Sequence, residues 1–331
     1  MSNSLLAVKN LRRYFPLQRN FWGKPRWWKK AVDDVSFTVE RGKTYALVGE
    51  SGCGKTTIGR SLLRLIEPTG GEVWHDGVNL LTLSKRQMTA RRRRLQMIFQ
   101  DPYSSLNSRW NAGALVGEGW DIHRLYPPAE RDARLAEIFA AVGLLPEHAN
   151  RYPHEFSGGQ RQRLGIARAL ALSPEFIVCD EAVSALDVSI QAQIINLLMD
   201  LQIERGIAYL FISHNLAVVR QIAERVGVMY AGQLVEEAAT DELFADPRHP
   251  YTQTLLRAIP EIGAPPARQT TRQIAEQAAG QVAGQVAGQV AGLAAGCPFG
   301  ERCPQARAVC RRAPAAEHRD GDRRVRCHLF D

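Results

Sequence analysis

The sequence predicts an α/β chain built on a mostly parallel sheet covered by helices on both faces. Three observations lead there. Phe176-Ile177-Val178-Cys179 and Ala208-Tyr209-Leu210-Phe211-Ile212 are short, apolar throughout and of strand length. Between them, Ile190 to Met199 carries apolar residues at helical spacing. Earlier, Tyr45-Ala46-Leu47-Val48 runs directly into a glycine-rich turn and then a helical stretch. Strands that alternate with amphipathic helices pair in parallel and are buried on both sides.

Bulk properties agree. With 331 residues, 45% of them hydrophobic, the chain can bury a substantial core. A formal charge of +8 favours anionic partners: nucleotide, nucleic acid or phospholipid head groups. Arg91-Arg92-Arg93-Arg94 is the densest basic run. It reads as a solvated helix face, with RNA or DNA contact as the alternative. No uncharged apolar run of about 18 residues is present, so no segment is expected to span a membrane. The opening MSNSLLAVKNLRRYF lacks a long apolar core and a cleavage site, which predicts a cytosolic protein.

In chain order, residues 5 to 50 have strand-like patterning, interrupted by a basic aromatic stretch from Phe21 to Lys30. Its Gly and Pro predict a surface loop. Trp22, Trp27 and Trp28 beside Lys and Arg suit a membrane interface; packing onto the domain is the alternative. Residues 51 to 66 read as a helix, and about 101–172 as a helix-rich region. Residues 1–262 form the main domain. Residues 263–296 form a low-complexity linker, with Gly-Gln-Val-Ala repeated three times between Gly280 and Gly296. Residues 297–331 are a compact basic tail with four cysteines.

The chemistry begins at Gly49-Glu50-Ser51-Gly52-Cys53-Gly54-Lys55-Thr56, which fits the eight-position phosphate loop. Its glycines let backbone N–H groups turn around phosphate oxygens, and the following helix points its positive end at the same charge. Lys55 would bridge the β- and γ-phosphates, and the Thr56 hydroxyl would hold Mg²⁺. The apolar strand from Phe176 ends in Asp180 and Glu181. Asp180 can reach the Mg²⁺ shell, and Glu181 is placed to polarise a water for in-line attack. Phe156-Ser157-Gly158-Gly159-Gln160 supplies a second anion site at a helix start, with Ser157 as its N-cap. Because the phosphate loop already holds its own triphosphate, this second site suggests facing another nucleotide in a dimer.

On these motifs the sequence resembles the ABC ATPase family over residues 5 to 260, with Phe156 standing where the family signature has Leu. The resemblance implies a P-loop NTPase (RecA-like) parallel sheet core, an antiparallel β subdomain and an inserted α-helical subdomain. It implies ATP and Mg²⁺ as ligands, bound through Gly49, Ser51, Gly52, Gly54, Lys55, Thr56 and Thr57. Gln100 looks like the Q-loop residue that senses Mg²⁺ and meets the membrane partner. Asp187, in Ser184-Ala185-Leu186-Asp187, looks like part of the D-loop at a dimer interface. His214 looks like the switch histidine at the γ-phosphate, and Phe15, or its neighbour Tyr14, like the aromatic that stacks on adenine. Two copies, identical or paralogous, would close head to tail, with Ser157, Gly158, Gly159 and Gln160 of one completing the other's site.

Arg151 to Phe156, Asp246 to Thr252 and Ser213 to Tyr230 are similar to the peptide-importer branch, and Glu181 to Asp187 resembles its glutathione and dipeptide importers. That resemblance implies two transmembrane permease subunits, an extracytoplasmic binding protein met indirectly, and a peripheral position on the cytoplasmic face of a bacterial inner membrane. It leaves dipeptide, oligopeptide, glutathione and nickel open as cargo. Ala182 replaces the family's usual proline and Asn215 its usual aspartate; neither change removes a catalytic atom.

Cys297, Cys303, Cys310 and Cys327 resemble the four-cysteine iron–sulfur extension of oligopeptide and dipeptide transporter ATPases. Four thiolates and no nearby His favour [4Fe–4S] over zinc, and unliganded thiols are the alternative. Cys53 and Cys179 are assigned no metal. Two rivals stand beside the transporter reading: a soluble ABC ATPase acting on nucleic acid or ribosomes, and a non-catalytic regulatory subunit. One complete motif set and the tail argue against the first. Intact Lys55, Asp180, Glu181 and His214 argue against the second, and nucleic acid is not an expected partner.

Overall fold

The structure, a computed structural model, describes residues 4–19, 25–184, 186–258 and 296–331. It opens with a long antiparallel hairpin, β1 (Ser4–Arg19) and β2 (Pro25–Glu40), followed by β3 (Thr44–Val48) and α1 (Lys55–Leu62). Next come β4 (Gly70–His75), β5 (Val78–Asn79), α2 (Lys85–Arg92) and β6 (Leu95–Ile98). A helical stretch holds α3 (Pro102–Ser105), α4 (Ala112–His123), α5 (Pro128–Ala141) and α6 (Gly158–Leu170). The chain then returns to the sheet through β7 (Phe176–Asp180), α7 (Val188–Arg205), β8 (Ala208–Ile212), α8 (Leu216–Ile222), β9 (Arg225–Tyr230) and β10 (Gln233–Ala239). It ends with α9 (Thr240–Ala245), α10 (Pro250–Arg257), β11 (Glu317–Asp320) and β12 (Arg323–Arg326).

The strands form two sheets. One is antiparallel, in the order β2-β1-β4-β5; the other runs β11-β12-β10-β9-β3-β8-β7-β6. From β9 to β6 every pairing is parallel. The apolar runs explain this core. Tyr45, Leu47, Phe176, Val178, Ala208, Leu210 and Ile212 enter one hydrophobic cluster with the hairpin and α1. Their neighbours Ala46, Val48, Ile177, Cys179, Tyr209 and Phe211 enter the other, with the helical stretch. Both faces are covered, which is why these runs are apolar at consecutive positions rather than alternate ones. Cys179 is one of those core residues.

Several expectations are corrected. The helix after the phosphate loop is α1, from 55 to 62, because the first residues of the predicted 51–66 span form the loop itself. The aromatic stretch is not all loop: β2 begins at Pro25, and Trp27 and Trp28 pair with Gln18 and Pro16 on β1. Both tryptophans are exposed; Phe21 and Trp22 lie outside the described residues. The arginine run is not a solvated face, and Arg93 alone of the four is exposed. Arg91 donates to the His75 carbonyl (2.7 Å), Arg92 to the Arg64 carbonyl (2.8 Å) and Arg94 to Asp76 (2.8 Å) and Glu175 (2.5 Å).

The tail does something its composition does not announce: β12 adds to the main sheet, pairing Val325 with Glu236 and Arg324 with Glu237 of β10. Arg323 and Glu236 are 1% and 0% exposed and meet at 2.8 Å. Glu236 also accepts the backbone N–H groups of Arg248 and His249, each at 2.9 Å. A buried carboxylate so placed is costly to leave without its cation. Arg323→Ala should therefore destabilise the docked tail by about 3–5 kcal/mol. The expected readout is faster tryptic cleavage after Arg319, Arg324 and Arg326 in limited proteolysis; an unchanged cleavage rate would show that the Arg323–Glu236 pair does not hold the tail.

Candidate functional site

The site is assembled where β3 ends. Gly49 and Gly54 have φ of +147° and +111°, in the region only glycine adopts readily. A Cβ at Gly49 would collide with the Met229 carbonyl, and one at Gly54 with the Ala31 carbonyl. Lys55, buried at the start of α1, donates to the Gly49 and Glu50 carbonyls at 2.7 and 2.9 Å. Thr56 Oγ1 donates to Asp180 Oδ1 at 2.8 Å, tying α1 to the end of β7. Burial pushes the Asp180 carboxyl up from its ordinary range, and the Thr56 bond opposes that shift. Two oxygen donors so close, one of them a carboxylate, suit a hard divalent cation such as Mg²⁺.

Glu181 follows with a left-handed φ of +48°. Its N–H donates to the Ile212 carbonyl at 3.0 Å, which keeps the ends of β7 and β8 level. Gln100 Nε2 donates to Glu181 Oε2 at 2.8 Å, and His214 Nδ1 lies 3.6 Å from Oε1. The loops after three parallel strands thus converge on one carboxylate.

A cavity of about 260 Å³ opens above the phosphate loop, with Ser51, Gly52, Gly54, Lys55, Thr56 and Thr57 as its floor. Gln100 and Glu181 close one side, and Phe15, Lys29 and Ala31 the other. Phe15 faces Lys29 across the hairpin, and the Arg13 guanidinium lies 4.3 Å from the Phe15 ring centre. Tyr14 turns away to donate to Asp33 at 2.5 Å; burial and that carboxylate raise its phenol to about 12. Lys29 and Ala31 escape sequence reasoning. The one available signal is hairpin register: Lys29 lies opposite Phe15, inside the stretch that reads as loop.

Gly49 and Asp180 stand behind the cavity wall and act on it through Lys55 and Thr56. The residues Ser157, Gly158, Gly159, Gln160 and Asp187 do not line it. Ser157 caps α6 in a reciprocal box: its hydroxyl accepts the Gln160 N–H (3.3 Å), and its own N–H donates to Gln160 Oε1 (3.0 Å). Phe156 is buried edge-on to His148, 5.6 Å between ring centres. Ser157 and Gly158 are exposed, as are Asp187 and Val188 at the start of α7. The two departures from pattern have local accounts. Ala182 is buried, and Asn215 accepts the N–H groups of Ala217 and Val218 at 3.1 and 3.4 Å, the capping an aspartate would provide.

All four tail cysteines carry free thiols. Cys297 donates its N–H to the Cys310 carbonyl at 2.8 Å. Burial, with smaller effects from the neighbouring cysteines, raises the Cys297 thiol and pushes Cys327 up to about 11. Among the described residues, no three His, Cys, Asp or Glu side chains are gathered closely enough to hold a metal ion. The expectation of no nearby histidine is corrected, since His328 adjoins Cys327. Its ring nitrogens are both engaged, by Asp331 (2.5 Å) and the Ala313 carbonyl (2.9 Å).

Comparisons with known proteins bear on the family to which the chain belongs. A family model for ABC transporters matches residues 32–184, and one for the oligopeptide/dipeptide transporter C-terminal region matches residues 235–310. The oligopeptide transport ATP-binding protein OppF of Bacillus subtilis is 55% identical over 78% of this chain and 84% of its own length. AppF of the same organism, another oligopeptide transport ATP-binding protein, is 44% identical over 99% of this chain and 98% of its own. Among solved structures, the ATP-binding cassette MJ0796, a dimer bound to ADP and Pi, aligns with a TM-score of 0.63 at 28% identity. The alignment covers 71% of this chain and 98% of that one. Among the described residues no helix is long and apolar enough to cross a membrane. From motif order, site geometry and identity along nearly its whole length, the chain belongs to the oligopeptide/dipeptide ABC transporter ATP-binding protein family.

Proposed function

We propose that this chain binds and hydrolyses ATP and so powers import of di- and oligopeptides through separate membrane subunits. One observation carries the ATPase reading: Lys55, Thr56, Gln100 and Glu181 line the same cavity, with Asp180 and His214 hydrogen-bonded or adjacent to them. Peptide as cargo is supported by the transporter names of OppF and AppF and by the C-terminal match.

The residues divide the work by position. The loop N–H groups and Lys55 would hold the β- and γ-phosphates, while Phe15 offers its ring to the adenine beside Lys29. Thr56 and Asp180 would hold Mg²⁺, with Gln100 in the same cavity, and the ion would supply neutralisation of phosphate charge. Glu181 would accept the proton of the attacking water. Gln100 fixes one of its oxygens, and His214 stands beside the other, near where the γ-phosphate would lie.

The helix start at Ser157, Gly158, Gly159 and Gln160, open to solvent at its first two residues, supports a head-to-tail dimer with a second ABC ATPase, as does exposed Asp187. MJ0796 was solved as a dimer. Further partners in this reading are two permeases and, indirectly, an extracytoplasmic binding protein. The chain would sit on the cytoplasmic face of the inner membrane. Its parts would be the nucleotide-binding domain 1–262, linker 263–296 and oligopeptide-transporter-type tail 297–331; residues 259–295 lie outside the described residues. The nucleic-acid rival loses its main support, because Arg91, Arg92 and Arg94 are engaged by backbone carbonyls and carboxylates. An iron–sulfur role for the tail rests on its four thiols alone. Iron and sulfide analysis after anaerobic purification decides it, with zinc or no metal refuting the cluster.

Two substitutions test the ATPase. Lys55→Ala should abolish tight nucleotide binding in an equilibrium titration; retained binding would remove Lys55 from the phosphate site. Glu181→Gln should keep ATP binding, lower hydrolysis about 10²–10⁴-fold and trap a closed dimer on size exclusion. Full activity of Glu181→Gln would overturn its role as base. In cells, both variants should stop growth on peptides as the amino-acid source.

A further inference from the structure

Glu50 has no part in the chemistry above, yet through it the phosphate loop meets the far end of the chain. Its N–H donates to the Tyr251 hydroxyl at 2.9 Å. Its carbonyl accepts from Lys55 Nζ at 2.9 Å and from the Cys53 N–H at 3.3 Å. Its carboxylate is held by both arms of Arg302, with Nη1 at 3.0 Å from Oε2 and Nη2 at 2.9 Å from Oε1. A paired fork of this kind fixes orientation as well as charge.

Arg302 is itself anchored. Its N–H donates to the Phe299 carbonyl at 3.0 Å. Phe299 is buried against Tyr230, Tyr251 and His249, with ring centres 5.2, 5.4 and 5.9 Å away. Tyr251 therefore serves twice, accepting the Glu50 N–H and walling the seat of Phe299. The Glu50 side chain is fastened to the docked tail, and its backbone to the residue that seats that tail.

Two consequences follow, and they act in the same direction. A bare carboxylate on the phosphate loop would repel a bound triphosphate, and the guanidinium cancels that charge. The clamp also restrains the peptide whose carbonyl holds Lys55, so less freedom is left to lose when nucleotide binds. The pair is 41% and 39% exposed, so solvent limits its strength. We propose that Arg302 is a positioning residue for the phosphate loop, acting through Glu50, so that the C-terminal tail raises nucleotide affinity. This rests on the nucleotide-binding reading of that loop.

The test is equilibrium binding of Mg–ATP to the full chain. Arg302→Gln should weaken binding about threefold to fivefold, the scale of a well-formed exposed pair. The loss should shrink at roughly 1 M salt, where the screening length is a few ångströms. In a Glu50→Gln background the same substitution should have almost no effect, because its partner charge is gone. Arg302→Lys should recover part of the affinity, and it carries the test should Arg302→Gln fail to fold. Arg319→Gln, an equal charge change in the same tail away from Glu50, should bind as the unaltered chain does. Equal losses from Arg302→Gln in both backgrounds, or no loss in either, would overturn the proposal. Lys55→Ala separates the two claims. If it still binds nucleotide, the site reading itself fails; if it does not, while Arg302→Gln binds normally, only the role of Arg302 fails.

Discussion

The phosphate loop lies so close to its neighbours that two of its positions tolerate no side chain. Gly49 abuts the Met229 carbonyl near the end of β9, and Gly54 abuts the Ala31 carbonyl on β2. The Gly232 N–H adds a bond to the Cys53 carbonyl at 2.9 Å, and the Asp33 N–H reaches the Gly232 carbonyl at 2.8 Å. Loop, hairpin and β9–β10 turn are thereby locked together. That contact carries Phe15 and Lys29 over the phosphate floor, and it puts Tyr230 within reach of the tail. A Cβ at either glycine would push the loop out of this seat.

The parallel sheet supplies the rest. Gly49 lies one residue past β3, Gln100 two past β6, Glu181 one past β7 and His214 two past β8. Parallel pairing brings these ends to the same edge, where α/β sheets hold their ligands. The proposed catalytic set thus needs no long-range design beyond register, and the Glu181–Ile212 backbone bond maintains that register. The continuous apolar runs make the register rigid, since their successive residues pack into the core on one face or the other.

Much of this is legible in the sequence. β7 and β8 fall on the apolar runs, and the order of phosphate loop, signature helix, Asp180–Glu181 and His214 carries the fold. What escapes is set by contacts remote along the chain. Lys29 enters the cavity only because of its partner across the hairpin, and a Trp-rich basic stretch gives no sign of that pairing. The arginine run reads as solvated charge until the carbonyls of His75 and Arg64 appear beside it. Likewise β12 is a short, arginine-rich segment that pairs with β11 along its length and ion-pairs through Arg323 and Arg324 with Glu236 and Glu237 of β10. Propensity alone cannot find a strand held in part by its partner's carboxylates.

This ATPase works as the motor of a membrane importer. Purification of the tagged chain from detergent-solubilised membranes, with identification of what accompanies it, tests that most directly. Two multi-spanning permeases should accompany it, with or without a second ATPase, and ATP hydrolysis by the complex should rise with peptide-loaded binding protein. Recovery with ribosomes or DNA, and no permease, would contradict that role while leaving the ATPase chemistry in place.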